Sequence, residues 1–249
     1  MKDAPKVLLE DTAYYIQNVD SGALKLVVSA VKAFARSTYQ GVYVIDLFAK
    51  SVLYVSENLG KWYGRSTLEL KRAGMMFYLE KIPMKERKFL REVNQKGLLF
   101  FNEQPLEERL DYVMTYDFHL TGERKPKLVN HSFTPMILTK DGKIRLALCA
   151  VSLSPRNSVG HYVMRNVGTK MRYEYDCNMH RWVKTDWKSL GEMERDVLSM
   201  SAQGYTMSDI ADCLCRTVDA VKACKKKMFL KLGVRNISGA LSVARSEAL

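Results

Sequence analysis

Residues 220–234, AVKACKKKMFLKLGV, carry lysines at 222, 225, 226 and 227, four within six positions, and a fifth at 231. Ammonium groups at that density can neutralise phosphates, and lysine also donates to the O6 and N7 acceptors of guanine. The same pattern also describes the solvated side of an amphipathic helix. Net charge does not choose between the two. The 249-residue chain has a formal charge of +12, but residues 189–249 hold nine Lys or Arg against seven Asp or Glu, and residues 1–188 hold thirty against twenty. Most of the excess lies outside the lysine-rich stretch, so the local arrangement of charge has to carry any argument for nucleic acid.

Other residue types capable of chemistry point to less. Five cysteines (Cys149, Cys177, Cys213, Cys215 and Cys224) are few and odd in number, which argues against a disulfide framework. Cys213, Cys215 and Cys224 lack a fourth metal ligand at usual spacing, and free thiols are expected. His119, His131, His161 and His180 have no partner ligand nearby in sequence, and His119 and His131 fall in expected strands as structural residues. A glycine-rich phosphate loop, a G-x-S-x-G turn and an H-E-x-x-H pair are absent from the sequence, so no enzyme is indicated. With no apolar run long enough to span a membrane and no signal-peptide pattern at the start, a cytoplasmic protein is expected.

The elements that must position the lysines come next. From Ser189 the pattern is wholly helical. Ser189 and Glu192 read as a capping box for a first helix bearing Met193, Val197, Leu198 and Ala202 on one face, with Gly204 as its stop. Thr206 with Asp209 opens a short second helix holding Ile210, Ala211 and Leu214; Thr217 caps a third, and Asn236 a fourth running to Ala248. At about 100° per residue, Val221, Cys224, Met228 and Leu232 form the buried stripe of the third helix. Lys222, Ala223 and Lys226 then face outward, Lys227 and Lys231 flank an edge, and Lys225 projects toward the rim of the stripe.

Upstream, SGALKLVVSAVKAFARS (21–37) reads as an amphipathic helix through Leu24, Val27, Val28, Val31 and Phe34. GVYVIDLFAKSVLYVSE reads as an antiparallel strand pair, short helices follow around 57–73, and MKERKFLREVNQKG reads as a helix ending at Gly97 with its charges outward. DYVMTYDFHLT, KLVNHSFTPMIL and KIRLALCAVSL read as three strands, the last two joined through Asp141-Gly142. Residues 157–188 contain further strand-like runs, read as a small β extension and linker.

In layout, residues 38–156 resemble a PAS domain, carried by GVYVIDLFAKSVLYVSENLGKWYG and the hairpin from Lys127 to Ser154. That resemblance implies a five-stranded antiparallel sheet with helices, acting as a sensor. Haem, flavin or a small metabolite are the usual ligands of such modules; the cofactor here is unknown, and Trp62, Tyr63, Phe77 and Tyr78 are candidates for a pocket. Residues 189–247 resemble the LuxR or GerE type of helix-turn-helix domain through Leu190, Glu194, Val197, Leu198, Ala202, Gly204, Ile210, Ala211, Leu214, Val221, Lys222 and the run Lys231, Leu232, Gly233, Val234. Departures stand at Arg216, Thr217, Ala220 and Cys224, and they bear on base preference more than on fold.

The expected molecule is therefore α+β: an extension and helix over 1–37, a PAS-like sensor over 38–156, the β extension and linker over 157–188, and a four-helix DNA-binding domain over 189–249. The resemblance implies base reading by Lys222, Ala223 and Lys226, and phosphate contacts from Thr206, Thr217, Lys225, Lys227 and Lys231. It also implies a transcription regulator acting on double-stranded promoter DNA, as a homodimer, with RNA polymerase a further partner. The last helix offers Ile237, Leu241 and Ala244 on one side, as an interface or as packing on its own domain. A sigma-factor-like protein that binds DNA and polymerase, or an interaction adaptor whose basic patch is incidental, are the alternatives.

Overall fold

The computed structural model describes residues 21–122, 125–156, 158–187 and 189–247, so residues 1–20 of the expected extension and the helix end at Ala248 lie outside the described residues. Two compact units are present, one comprising the described chain to Leu153 with Ser158–Thr185, the other the described residues of 154–157 and of the chain from Asp186 onward. No helix among the described residues is long and apolar enough to cross a membrane.

The first unit is built on one antiparallel sheet. Its strands are β1 (Gly41–Asp46), β2 (Ser51–Val55), β3 (Tyr112–Leu120), β4 (Lys127–Leu138), β5 (Ile144–Leu153), β6 (Val163–Asn166), β7 (Met171–Asp176) and β8 (Arg181–Thr185), in the order β2-β1-β5-β4-β3-β6-β7-β8. The five expected strands are adjacent, but the sheet has eight. Tyr112 to Thr115 of β3 pair with Asn166 to Val163 of β6, so the expected β extension continues the same sheet. An edge at β3 would otherwise expose unpaired amides over those residues.

Both faces of the sheet are covered, which explains why all six residues of β1 are buried. Alternation sends Val42 and Val44 against Val31 and Ala35 of α1 (Ser21–Arg36). Tyr43 and Ile45 point instead into the main core, shared with α2 (Glu57–Tyr63), α3 (Thr67–Ala73), α4 (Phe77–Glu80) and α5 (Met84–Asn102). Phe34, expected on the buried stripe of α1, is 47 % exposed, because Ala35 takes the position against the sheet.

The helix α5 does not stop at Gly97 but continues to Asn102. A Cβ at Gly97 would lie 2.6 Å from Met114 Sδ, so the glycine marks a close approach of helix to strand rather than a terminus. Nor are all charges of α5 outward. Glu86 is buried and accepts the His119 backbone N–H at 2.8 Å, with its other oxygen 2.8 Å from His119 Nδ1. Trp182 Nε1–H donates to the Lys96 carbonyl at 3.2 Å and the Tyr175 hydroxyl to Glu92 at 2.6 Å, tying the added strands to the same helix.

Candidate nucleic-acid interface

The second unit consists of α6 (Glu192–Ala202), α7 (Met207–Cys213), α8 (Val218–Leu232) and α9 (Ile237–Glu247). The start of α6 differs from the expected Ser189/Glu192 box by two residues. Gly191 caps it, and Glu194, not Glu192, returns its carboxylate to the Gly191 N–H at 2.8 Å. Ala202, expected on the inner face, is exposed, because the helix ends there and Gly204 turns away with φ of +90°.

The helix pair α7 and α8 has well-defined ends. Thr206 Oγ1 accepts the Asp209 N–H at 3.2 Å and donates to Asp209 Oδ2 at 2.7 Å, while the Thr206 N–H donates to the same oxygen at 2.9 Å. These bonds, the side-chain one first, hold the Asp209 carboxyl below its usual range. The turn passes through Cys215 at φ +51°, and Thr217 Oγ1 accepts the Ala220 N–H at 3.2 Å to start α8. At the far end Gly233 adopts φ +67°, its N–H reaching the Leu230 carbonyl at 3.2 Å. A left-handed residue at that place is what glycine supplies without a Cβ penalty, which gives the KLGV run its physical meaning.

Packing fixes the rotation of α8. Val221 joins Val197, Ile210 and Ala211 in one cluster; Met228 and Leu232 join Leu190, Leu198, Val234, Ala240 and Val243 in another. Burying side chains of this size contributes roughly 1.5–3 kcal/mol each. Cys224 lies at the stripe's margin, half-buried. The opposite face presents Lys222, Ala223, Lys226 and Lys227, all exposed. Lys225 is half-buried and, with Lys222 and Lys226, borders an open groove whose apolar wall is Met207, Phe229, Leu230 and Val234.

Two expected phosphate ligands are otherwise engaged. Lys231 Nζ donates to Glu194 Oε2 at 2.7 Å and is half-buried, so it braces α8 against α6. The Thr206 hydroxyl donates its one proton to Asp209 Oδ2, which leaves none for a phosphate oxygen. Lys222 also has a partner, Asp219 Oδ1 at 3.2 Å, but both side chains are exposed and such a pair yields readily to a stronger anion. Sequence reasoning overlooked Leu230, which is 75 % exposed. The signal was available: 222, 226 and 230 are successive i, i+4 positions on one face.

The four aromatic residues expected to form a ligand pocket do not come together around one space. Tyr63 and Phe77 pack edge to face at 5.3 Å within the core. Trp62 and Tyr63 both border an outer groove, whose lining includes neither Phe77 nor Tyr78. Tyr78 lines a small inner cavity of about 40 Å³, together with Tyr43, Asn94, Tyr116, His131 and Cys149. There His131 is 2 % exposed, its Nε2 lies 2.7 Å from the Tyr43 hydroxyl, and its Nδ1 has no partner among the described residues. Burial lowers the His131 pKa to about 3 and pushes the Cys149 thiol up to about 12, so both are neutral near pH 7.

The α9 stripe is divided. Ala240 and Val243 are buried in the unit's own core, and Ile237, Leu241 and Ala244 pack half-buried along its margin.

Comparison with known proteins bears on this second unit. The family described as bacterial regulatory proteins, luxR family, matches residues 188–244. The transcriptional activator protein BglJ of Escherichia coli K12 is 32 % identical over 74 residues, covering 30 % of this chain and 33 % of BglJ, so the chain spans about a third of that curated relative. Among solved structures, the phage VqmA–DPO complex has 13 % identity and a TM-score of 0.36, with 91 % of this chain and 90 % of that chain covered. The Vibrio cholerae VqmA dimer solved without target DNA has 15 % identity and a TM-score of 0.36, with 88 % and 87 % covered. With the capped helix pair, the glycine-terminated α8 and this match over the same residues, the segment 188–244 is a regulatory domain of the luxR family.

Proposed function

We infer that this chain is a sequence-specific transcription regulator, whose C-terminal unit binds double-stranded promoter DNA through α8 and whose N-terminal unit sets that binding in response to a signal. The observation carrying the reading is the orientation of α8. Its inner stripe is locked by two apolar clusters and both ends are capped, so Lys222, Ala223 and Lys226 project together on the open side. A helix so presented fits the major groove, where Lys222 and Lys226 donate to guanine and the Ala223 methyl meets a thymine methyl. Lys225 and Lys227 neutralise phosphates, and the Thr217 hydroxyl, whose lone pair is used in the cap, keeps its proton for another.

The chain acts as a homodimer in this reading, since one such module reads too few base pairs to stand out among competing sites. The margin formed by Ile237, Leu241 and Ala244 is the surface offered for pairing. An activating role is what the name of BglJ, a transcriptional activator, supports, and RNA polymerase is a further partner in this reading. The site of action is the cytoplasm, where bacterial promoters are. For the signal, the inner cavity with its unpartnered His131 Nδ1 is better placed than the Trp62 side, and its size suits only a small uncharged molecule.

A mobility-shift experiment on promoter-rich genomic fragments and on random duplexes, at two salt concentrations, tests the reading. Retained preference for some fragments at the higher salt is expected. Failure to shift any duplex even at low salt rejects it.

A further inference from the structure

A second basic site lies in the first unit. An outer groove of about 300 Å³ is bordered by Lys61 and Trp62 of α2, by Lys81, and by Thr121, Lys125 and Lys127 on the other side. None of the four lysines has an ion-pair partner among the described residues. The nearby carboxylate of Glu80 does not compensate them, since Arg65 holds it at 2.6 Å. The walls are tied together: both the N–H and the hydroxyl of Thr121 donate to the Lys81 carbonyl, at 2.6 and 2.8 Å. Trp62 is half-buried and packed on the core from beneath, which fixes its indole at the groove while leaving part of it open.

Four ammonium groups around a concavity, with no ion-pair partner among the described residues, focus positive potential into it. An indole beside them adds a stacking surface that no simple anion would use. Concavity favours a discrete ligand over a duplex, whose backbone is convex and asks for an extended stripe. We propose that this groove binds a phosphorylated aromatic metabolite of mononucleotide size, its phosphates among Lys61, Lys81, Lys125 and Lys127 and its ring on Trp62. The site accounts for part of the positive excess that residues 1–188 carry, which the DNA-binding unit does not explain. It is separate from the inner cavity, and the proposal stands whether or not that cavity is occupied.

The test uses the full chain and isothermal titration with three probes, without divalent ions: ATP, tripolyphosphate and adenosine. ATP is expected to bind more tightly than either of the others. K81Q/K127Q should weaken ATP by about tenfold or more, a change readily resolved in Kd, while K222Q/K226Q leaves it unaltered. Thermal unfolding of each variant checks that the fold is intact. Tripolyphosphate binding as tightly as ATP overturns the role of Trp62, and adenosine binding as tightly overturns that of the lysines. ATP affinity that is unmoved by K81Q/K127Q, or lost in K222Q/K226Q, overturns the site. So does a K81Q/K127Q variant that, in a parallel titration with random duplex DNA, loses affinity for the duplex and not for ATP, which would make the groove a backbone-gripping surface.

Discussion

Lys222 and Lys227 stand five residues apart, yet the helix gives them different work. Lys222→Ala or Lys226→Ala is expected to cost roughly 1–3 kcal/mol on a preferred site and to relax preference, because a base-directed donor is lost. Lys227→Ala should weaken preferred and random duplexes alike. Competition binding on both kinds of DNA reads the difference, and equal losses from all three would remove the assignment. Lys231 is expected to behave unlike either, because Glu194 holds it at 2.7 Å inside the domain. Burial would raise the Glu194 pKa, but the hydrogen bonds from Lys231 and Gly191 and the charges of Lys231 and Lys227 outweigh it, and the net shift is downward. A depressed carboxyl stabilises fully above its unfolded pKa, about 4.3, and loses that contribution as pH falls through the lower folded value. Glu194→Gln should therefore cost about 1–3 kcal/mol near neutral pH. The gap between wild type and variant, followed by thermal unfolding, should narrow as pH falls below about 4; a gap that widens on acidification would contradict the ion pair. The lysines' directions were legible in the sequence because apolar spacing fixes a helix's rotation. The Lys231 partner was not, because Glu194 is 37 positions away and only the packing of α6 on α8 joins them.

At the level of elements, α8 depends on both of its ends. Thr217→Ala removes the acceptor of the Ala220 N–H and is expected to destabilise the C-terminal unit by about 0.5–2 kcal/mol. Gly233→Ala meets no atom within 4 Å of the new Cβ, so its cost is the left-handed conformation alone, about 1–2 kcal/mol. Chemical denaturation followed by circular dichroism measures both; a neutral Gly233→Ala would mean that the turn relaxes out of φ +67°. These caps could be read from sequence because a cap is local, set by a side chain and an amide three residues on. The end of α5 could not. Gly97 has the local signature of a terminus, but its reason is Met114 on a distant strand. The box at Ser189 failed differently, since Gly191 with Glu194 offers the same reciprocal geometry two residues later and puts Glu194 within reach of Lys231. Strand positions were legible from alternation, whereas the pairing of β6 on β3 joins segments about fifty residues apart and leaves no periodic trace.

For the whole molecule the question is which of its positive charges grip DNA. The thirty Lys and Arg of residues 1–188 against twenty acidic residues would suggest the first unit, if charge were read by total. Arrangement argues otherwise. Four lysines of that unit with no ion-pair partner among the described residues border a concave groove with an indole, and those of α8 lie on an exposed helical face. Each phosphate neutralised changes the slope of log affinity against log salt by about −0.9, so Lys225 and Lys227 from two copies predict a slope near −4, with Lys222 and Lys226 on the bases. Lys227→Ala in both copies should shallow that slope by about 2. K81Q/K127Q should leave it unchanged, although it removes two charges per chain where Lys227→Ala removes one. Filter binding of a random duplex across a salt series measures all three. A slope that falls equally in both variants would assign DNA contact to the first unit as well, and the division of labour drawn from the two surfaces would be lost.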